Sequence, residues 1–334
     1  MTQPSAARTL GLLLIDDFAL MSYASVIEPY RAANVLAGEE LYRWIHVSID
    51  GRPVRASNGA SVVADQAVGQ PLACDTLFVF AAGDPARFRD VATFAWLREI
   101  ARQGATLAGV SGGPFLLAHA GLLDKHRATI HWDHRPTFAE TFAEISVEPS
   151  LYVIDRRRVT CAGGTSGLDL AIELIEREQG HALATRVGDW FIHTESRAAD
   201  QSQRASLRER YGVANDRVLK VLARMEATVE EPEARAALAH VAGVSLRQLE
   251  RLFAAHLGES VNDCYRRIRL DQADQLLRKT GLSITSVAIA CGFRSSSHFS
   301  RAFRSRYGIS PIEGRRLPAV QTGAAGGVQA SSNG

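Results

Sequence analysis

Cysteine is scarce in this chain and never close-spaced: Cys74, Cys161, Cys264 and Cys291 are scattered over 334 residues with no C-x-x-C pair. That argues against a disulfide framework or a zinc site and suits a reducing cytoplasm. Long apolar runs are missing too. The best candidate, Leu10 to Ile15, is stopped by Asp16-Asp17, far short of the ~20 residues that span a bilayer. The stretch before it holds only Arg8 and no apolar h-region, which argues against a secretory signal and for a cytoplasmic protein. Apolar residues make up 46% and charged residues 22%, so nothing in the composition points to disorder of the whole chain. The length is comfortable for two domains.

A large excess of one charge is absent only on average. Residues 201–334 hold 20 Lys and Arg against 12 Asp and Glu, a net +8, while residues 1–200 carry −6. An acidic front and a basic back predict two modules, the second facing a polyanion.

The front alternates strand and helix patterns over 9–192. Residues 9–15 and 76–81 are continuous apolar runs, as in strands buried on both faces. A helical pattern follows the first and ends at Gly38. Residues 106–110 form a strand that runs into Ser111-Gly112-Gly113-Pro114, with Pro114 suited to the first turn of a helix. Residues 151–154 and 159–162 read as a hairpin, and helical patterns occupy 167–179 and 181–192. Strands separated by helices predict an α/β doubly wound sheet domain. Residues 193–215 turn polar and read as a linker. Residues 216–317 read as helices only, and the small, polar tail 318–334 reads as disordered.

The helical part contains a repeat. Leu238–Val244, Leu249–Phe253 and Gly258–Ser260 return as Val287–Phe293, Phe299–Phe303 and Gly308–Ser310, offset by 49 residues at the first glycines and 50 after them. A short helix, a glycine turn and a second helix opened by a Ser-rich cap is the helix-turn-helix plan, so an all-α double helix-turn-helix domain is expected. Gly243 and Gly292 supply the positive φ of the turns. Leu249, Leu252 and Phe253, and again Phe299, Ala302 and Phe303, fall on one face as core. Ser245, Arg247, Gln248, Glu250 and Arg251 in one copy lie where base edges or phosphates are reached. Arg294, Ser296, Ser297, His298, Ser300, Arg301 and Arg304 do so in the other. Arg251 and Arg301 fit a phosphate-holding or structural role better than base reading.

Residues 284–311 resemble the signature of the AraC/XylS family of transcriptional regulators in Ala288, Gly292-Phe293, His298-Phe299-Ser300-Arg301, Phe303 and Gly308-Ile309-Ser310-Pro311. The resemblance covers 216–317. It implies seven helices, the long one over 261–280 linking the two units, and double-stranded operator DNA and RNA polymerase as partners.

Three features of the front carry possible chemistry. Ser111 stands at a strand-to-helix elbow, where a nucleophile is exposed at a helix N-terminus. His131-Trp132 follows a strand, with Asp133 and His134 beside it. Cys161 to Leu170 is a glycine-rich turn into a helix, whose N–H groups at Gly164 and Thr165 suit an anion. With Phe115–Asp124 these resemble the class I glutamine-amidotransferase-like fold in its PfpI-like branch, as fused to AraC-type modules. In catalytic members the elbow residue is cysteine and a glutamate sits near Ser22. Here Ser111 replaces the first and no acid replaces the second, though His131 is retained. No catalytic residue is therefore assigned. Ser111, Gly112, Gly113, His131, Trp132, Gly164, Thr165 and Glu28 are assigned instead to a small-molecule effector. The run around Glu28 and Arg31 resembles regulators of quaternary-amine and related amino-acid catabolism, such as that of glycine betaine or carnitine. Trp132 would then face a cationic head and the helix starts at Gly112 and Gly164 a carboxylate.

The expected protein is a ligand-responsive, sequence-specific transcription regulator, an activator and a homodimer, using no cofactor and no metal. The alternative is a serine-type hydrolase or amidase with Ser111 as nucleophile and His131 as base, tethered to DNA.

Overall fold

The computed structural model describes residues 6–316, so the expected disordered tail 318–334 lies outside the described residues. The chain divides into a unit ending at Ser206 and another starting at Leu207. In chain order the first runs β1 (Arg8–Leu14), α1 (Leu20–Ala37), β2 (Tyr42–Ser48), β3 (Val54–Arg55), β4 (Ser61–Val62), β5 (Gln66–Ala67) and β6 (Thr76–Ala81). Then come α2 (Val91–Arg102), β7 (Thr106–Ser111), α3 (Gly113–His119), β8 (Arg127–Ala128), α4 (Arg135–Thr141) and β9 (Ser146–Val147). The unit continues with β10 (Tyr152–Asp155), β11 (Arg158–Cys161), α5 (Ser166–Gln179) and α6 (His181–Trp190).

Seven strands form one sheet in the order β10-β11-β7-β6-β1-β2-β5. Its pairings are parallel apart from the β10–β11 hairpin. The apolar runs explain the arrangement. Alternate residues of β1 point to opposite faces: Leu12 and Leu14 pack with Val26, Tyr30 and Leu170 under α1 and α5. Leu13 packs with Val79, Leu97, Phe115 and Phe138 under α2, α3 and α4. Both faces are buried, as a doubly wound sheet requires. Parallel strands end at one edge, so Ser111, Ala81 and Cys161 close the sheet side by side.

The second unit is helical: α7 (Leu207–Tyr211), α8 (Asp216–Ala227), α9 (Arg235–Val241), α10 (Leu246–Leu257), α11 (Val261–Lys279), α12 (Ile284–Ala290), α13 (Ser296–Tyr307) and α14 (Pro311–Arg316). Two cores divide it. Val221, Leu222, Leu238, Leu249 and Phe253 make one with the first half of α11 through Val261, Cys264, Tyr265 and Ile268. Val287, Ala288, Phe299 and Phe303 make the other with the second half, through Leu270, Ala273, Leu276 and Leu277. α10 opens on a capping box between Ser245 and Gln248, and α13 on Ser295, whose side chain accepts from the His298 N–H. Among the described residues no helix is long and apolar enough to cross a membrane.

The segment expected as a linker, 193–215, is divided between the units. Residues 193–206 are fastened to the first by side chains that charge composition alone does not place.

The two turn glycines carry different loads. Gly243 has φ +64° and open space around an added Cβ, whereas Gly292 at +71° would bring one to 2.4 Å from the Pro232 ring and 2.6 Å from the Val229 carbonyl oxygen. Gly243→Ala is expected to cost about 1 kcal/mol of backbone strain. Gly292→Ala adds an overpacking cost of about 1–3 kcal/mol. Urea unfolding of the two variants side by side checks the order.

Candidate functional site

Ser111 ends β7 with φ +60°, a left-handed conformation that a residue with a Cβ adopts only under constraint. Its neighbours supply the constraint. The Gly112 N–H is held by the Ala81 carbonyl at 2.7 Å. A Cβ on Gly113 would stand 2.0 Å from the Val79 carbonyl oxygen. α3 thus starts hard against β6, and the Gly112-Gly113 pair is first a packing requirement. Ser111 is buried, 7% exposed. The expected strand–turn–helix elbow is present.

On the other side of Ser111 lies Gly163. A Cβ there would be 2.7 Å from both the Ser111 Cβ and the Ser22 Oγ. Ser22 therefore stands across from the elbow, and its buried hydroxyl accepts the Gly164 N–H at 2.8 Å. The Gly163 N–H reaches the Cys161 sulfur at 3.4 Å. This corrects part of the anion-site expectation: the N–H groups of Gly112 and Gly164 already serve the fold. Cys161 is no substitute nucleophile, because burial pushes its thiol up to about 11.

His131 joins the elbow through its backbone, whose N–H donates to the Ser111 carbonyl at 3.4 Å. Its ring lies beside Trp132 and His134, with centroids at 5.4 and 6.0 Å. His134 is buried and held down at about 4, by burial and then by His131. The Asp133 N–H, at 3.4 Å, points at the His131 Nδ1. Among the described residues Glu28 makes no hydrogen bond or ion pair with this cluster. It pairs with Arg31 one turn along α1, at 2.7 Å, the surface arrangement its spacing also allows.

The residues that sequence reasoning missed come from 193–206. Asp169, on the first turn of α5, is 1% exposed. Its carboxylate accepts from the Arg197 N–H, Nε and Nη2 at 2.8, 3.0 and 2.6 Å, and contacts His193 Nε2 at 2.8 Å. Arg197 also donates to the Thr165 hydroxyl at 2.9 Å. Further on, the Gln203 amide donates to the Thr129 hydroxyl and to the carbonyls of Ile130 and Ser150, at 2.7–3.0 Å. The Arg204 guanidinium lies over the Trp132 ring, 4.6 Å from its centroid. The one signal available was Asp169 itself, a carboxylate within the apolar run of a helix.

In the second unit the arginines sort into two groups. Arg235, Arg266, Arg267 and Arg306 pair with Glu250, Asp263, Glu259 and Asp271, and Arg269 donates to the carbonyls of Cys291 and Gly292. Arg247 and Arg251 on α10, Arg294 before α13, and Arg301 and Arg304 on α13 are exposed, with no ion pair among the described residues. The repeat is visible in burial: residues 249–260 and 299–310 follow the same sequence of buried, half-buried and exposed positions. Ser297 and His298 are exposed, and Ser296 and Ser300 half-buried. Two assigned residues have partners within the unit. Glu250 pairs with Arg235 and accepts the Val261 N–H at 3.2 Å, so its carboxylate anchors α11. Gln248 turns back to accept from the Ser245 N–H and hydroxyl at 2.9 and 3.0 Å, closing the cap.

Comparison with known proteins agrees with both units. Residues 238–317 match the Helix-turn-helix domain family and residues 15–177 the DJ-1/PfpI family. The chain is 42% identical to the HTH-type transcriptional regulator CdhR of Pseudomonas aeruginosa over 94% of this chain and 93% of that one. It is 42% identical to the HTH-type transcriptional regulator GlxA of Rhizobium meliloti over 92% and 95%. A crystal structure of a THiJ/PfpI family protein from Pseudomonas syringae superposes with a TM-score of 0.50 at 20% identity, covering 73% of this chain and 97% of that one, which is a likeness of fold.

The Asp169 cluster generates a test. Asp169→Asn keeps the shape but places an amide against the guanidinium, at a cost of about 1–3 kcal/mol. The partly solvent-exposed Arg197 keeps the loss below that of a fully buried pair. The expected outcome is a lower unfolding midpoint with faster hydrogen exchange confined to 193–206.

Proposed function

Because the chain belongs to the AraC-type helix-turn-helix transcriptional regulators with a DJ-1/PfpI-type front domain, we propose that it activates a catabolic operon in response to a small amino-acid-like or quaternary-amine metabolite. The exposed, unpaired arginines on matching faces of α10 and α13 carry the DNA part of this reading. Arg247, Arg251, Arg301 and Arg304 stand exposed on the two helices with no ion pair among the described residues, an arrangement suited to phosphate and base-edge contact. Arg247 is the residue we assign to a base edge, Gln248 joining it once its cap opens, and Arg304 to a phosphate. Ser297 and His298 extend the second face. The protein acts as a homodimer in the cytoplasm, with RNA polymerase as its further partner.

The front unit is the sensor, and it binds without turning over. Ser22 stands across Gly163 from the elbow and its hydroxyl oxygen accepts the Gly164 N–H, so no acid polarises a nucleophile there. A hydroxyl ionises far less readily than the thiol it replaces. Trp132 supports a cationic effector, since its ring face already attracts a guanidinium. The resemblance around Glu28 points to glycine betaine or a related quaternary amine.

Two measurements test this. Footprinting on a cognate operator should show two subsites about one helical turn, roughly 10–10.5 bp, apart. Arg304→Ala should weaken all sequences alike and reduce the salt slope by about 0.9, whereas Arg247→Ala should relax specificity at particular base pairs. For the sensor, calorimetry with glycine betaine should show binding with the ligand recovered unchanged. Ser111→Ala should alter that binding by no more than about 1 kcal/mol. Turnover that vanishes in Ser111→Ala would establish the hydrolase instead.

A further inference from the structure

The face of Trp132 that suits a cation is already taken. Arg204, from the segment leading into the second unit, sits 4.6 Å above the ring centroid. The residue before it is fixed by three hydrogen bonds to Thr129, Ile130 and Ser150, and Arg197 earlier in the segment covers Thr165 at the glycine-rich turn. One stretch of chain thus lays a guanidinium on each of the two places where the head and the tail of a small zwitterion were expected.

We infer that Arg204 is a built-in stand-in for the effector's cationic head, so that effector and connector compete for Trp132. The inference rests on the effector reading above and adds the device by which that site reports. Two cations cannot share one ring face, so each bound effector displaces Arg204. Leu207, three residues on, begins the second unit, and displacement therefore lengthens the free connection to the DNA-binding helices. Two features make the hold releasable. Arg204 is exposed, where a cation–π contact is worth only a few-fold in equilibrium. The Gln203 Oε1 is buried with no hydrogen-bond partner among the described residues, so the latch beside it is incompletely satisfied. Linkage makes the competition reciprocal: what loosens the connector tightens the effector, and the reverse. The head must be cationic and compact, a quaternary ammonium or a guanidinium.

Calorimetry with glycine betaine on the full chain tests this. Arg204→Ala should bind at least about two-fold more tightly than the unaltered protein, the lower bound for an exposed cation–π contact. Arg204→Lys should stay near the unaltered value, Trp132→Ala should bind roughly ten-fold more weakly, and the isostere tert-butylacetate, which keeps the carboxylate but has an uncharged head, should not compete. In the unaltered chain, glycine betaine should speed tryptic cleavage of the Arg204–Ala205 bond, and Trp132→Ala should be cut as fast without it. Equal affinity of Arg204→Ala and the unaltered chain would overturn the competition while leaving the effector reading intact. Binding to neither, by glycine betaine or tetramethylammonium, would overturn the cation seat, while the DNA reading rests on its own footprint and salt series. Cleavage at Arg204 indifferent to Trp132→Ala would overturn the claim that the ring holds the connector.

Discussion

A single buried carboxylate organises the front of this protein. Asp169 cannot sit ionised in the interior without donors, and α5 supplies too few of them. The donors come from residues far along the chain, so satisfying one charge forces the segment after α6 to fold back across the glycine-rich turn. From there Leu151 takes the carbonyl of Ala199, Gln203 reaches the end of the hairpin and Arg204 reaches Trp132. Without the Asp169 anchor, that stretch would be the polar tether its composition suggests. With it, the exit of the first unit lies over the edge where the parallel strands end, the position at which α/β sheets bind ligands.

The second unit solves a different problem with less machinery. Each helix-turn-helix is too small to bury much apolar surface alone. α11 contributes a face to each core, and the switch falls between Ile268 and Leu270. Between them, Arg269 lies over Phe293 and ties α11 to the carbonyls of the second turn. Burial, caps and turn glycines repeat across the two halves, while the outer faces differ, Arg247 and Arg251 on one side and His298, Arg301 and Arg304 on the other. A shared scaffold with unlike outer faces suits an asymmetric stretch of DNA.

Much of this was legible in the sequence. Periodicity gave the doubly wound sheet because β1 and β6 are apolar on both faces, and only strands covered by helices on two sides are written that way. The repeat gave the helix-turn-helix pairs because turns, caps and core positions all recur at one offset. The elbow at Ser111 was visible because strand, small residues and Pro114 occur in that order. Polar contacts over long separations were not legible. Nothing in the run from Thr194 to Ser206 marks Arg197 as the partner of Asp169, 28 residues earlier, or Arg204 as the cover of Trp132. The same blindness hid the partners of Glu250 and Gln248: both lie on the outer side of α10 by helical phase, yet one reaches the start of α11 and the other its own cap. Glycine was ambiguous for a related reason. Gly112 and Gly113 look like an anion cradle in sequence, while in space they are where α3 meets the carbonyl edge of β6.

α11 also sets a phase. A helix advances 1.5 Å and turns about 100° with every residue, and this one holds a core at either end with no flexible joint between. The angle and distance between α10 and α13 are therefore counted out in residues of a single rod. Adding or deleting one residue near Arg269 would leave both halves able to fold, yet would swing one reading surface about a quarter-turn away from the groove its twin occupies. The spacing of the protein's DNA site is in this sense written as a helix length.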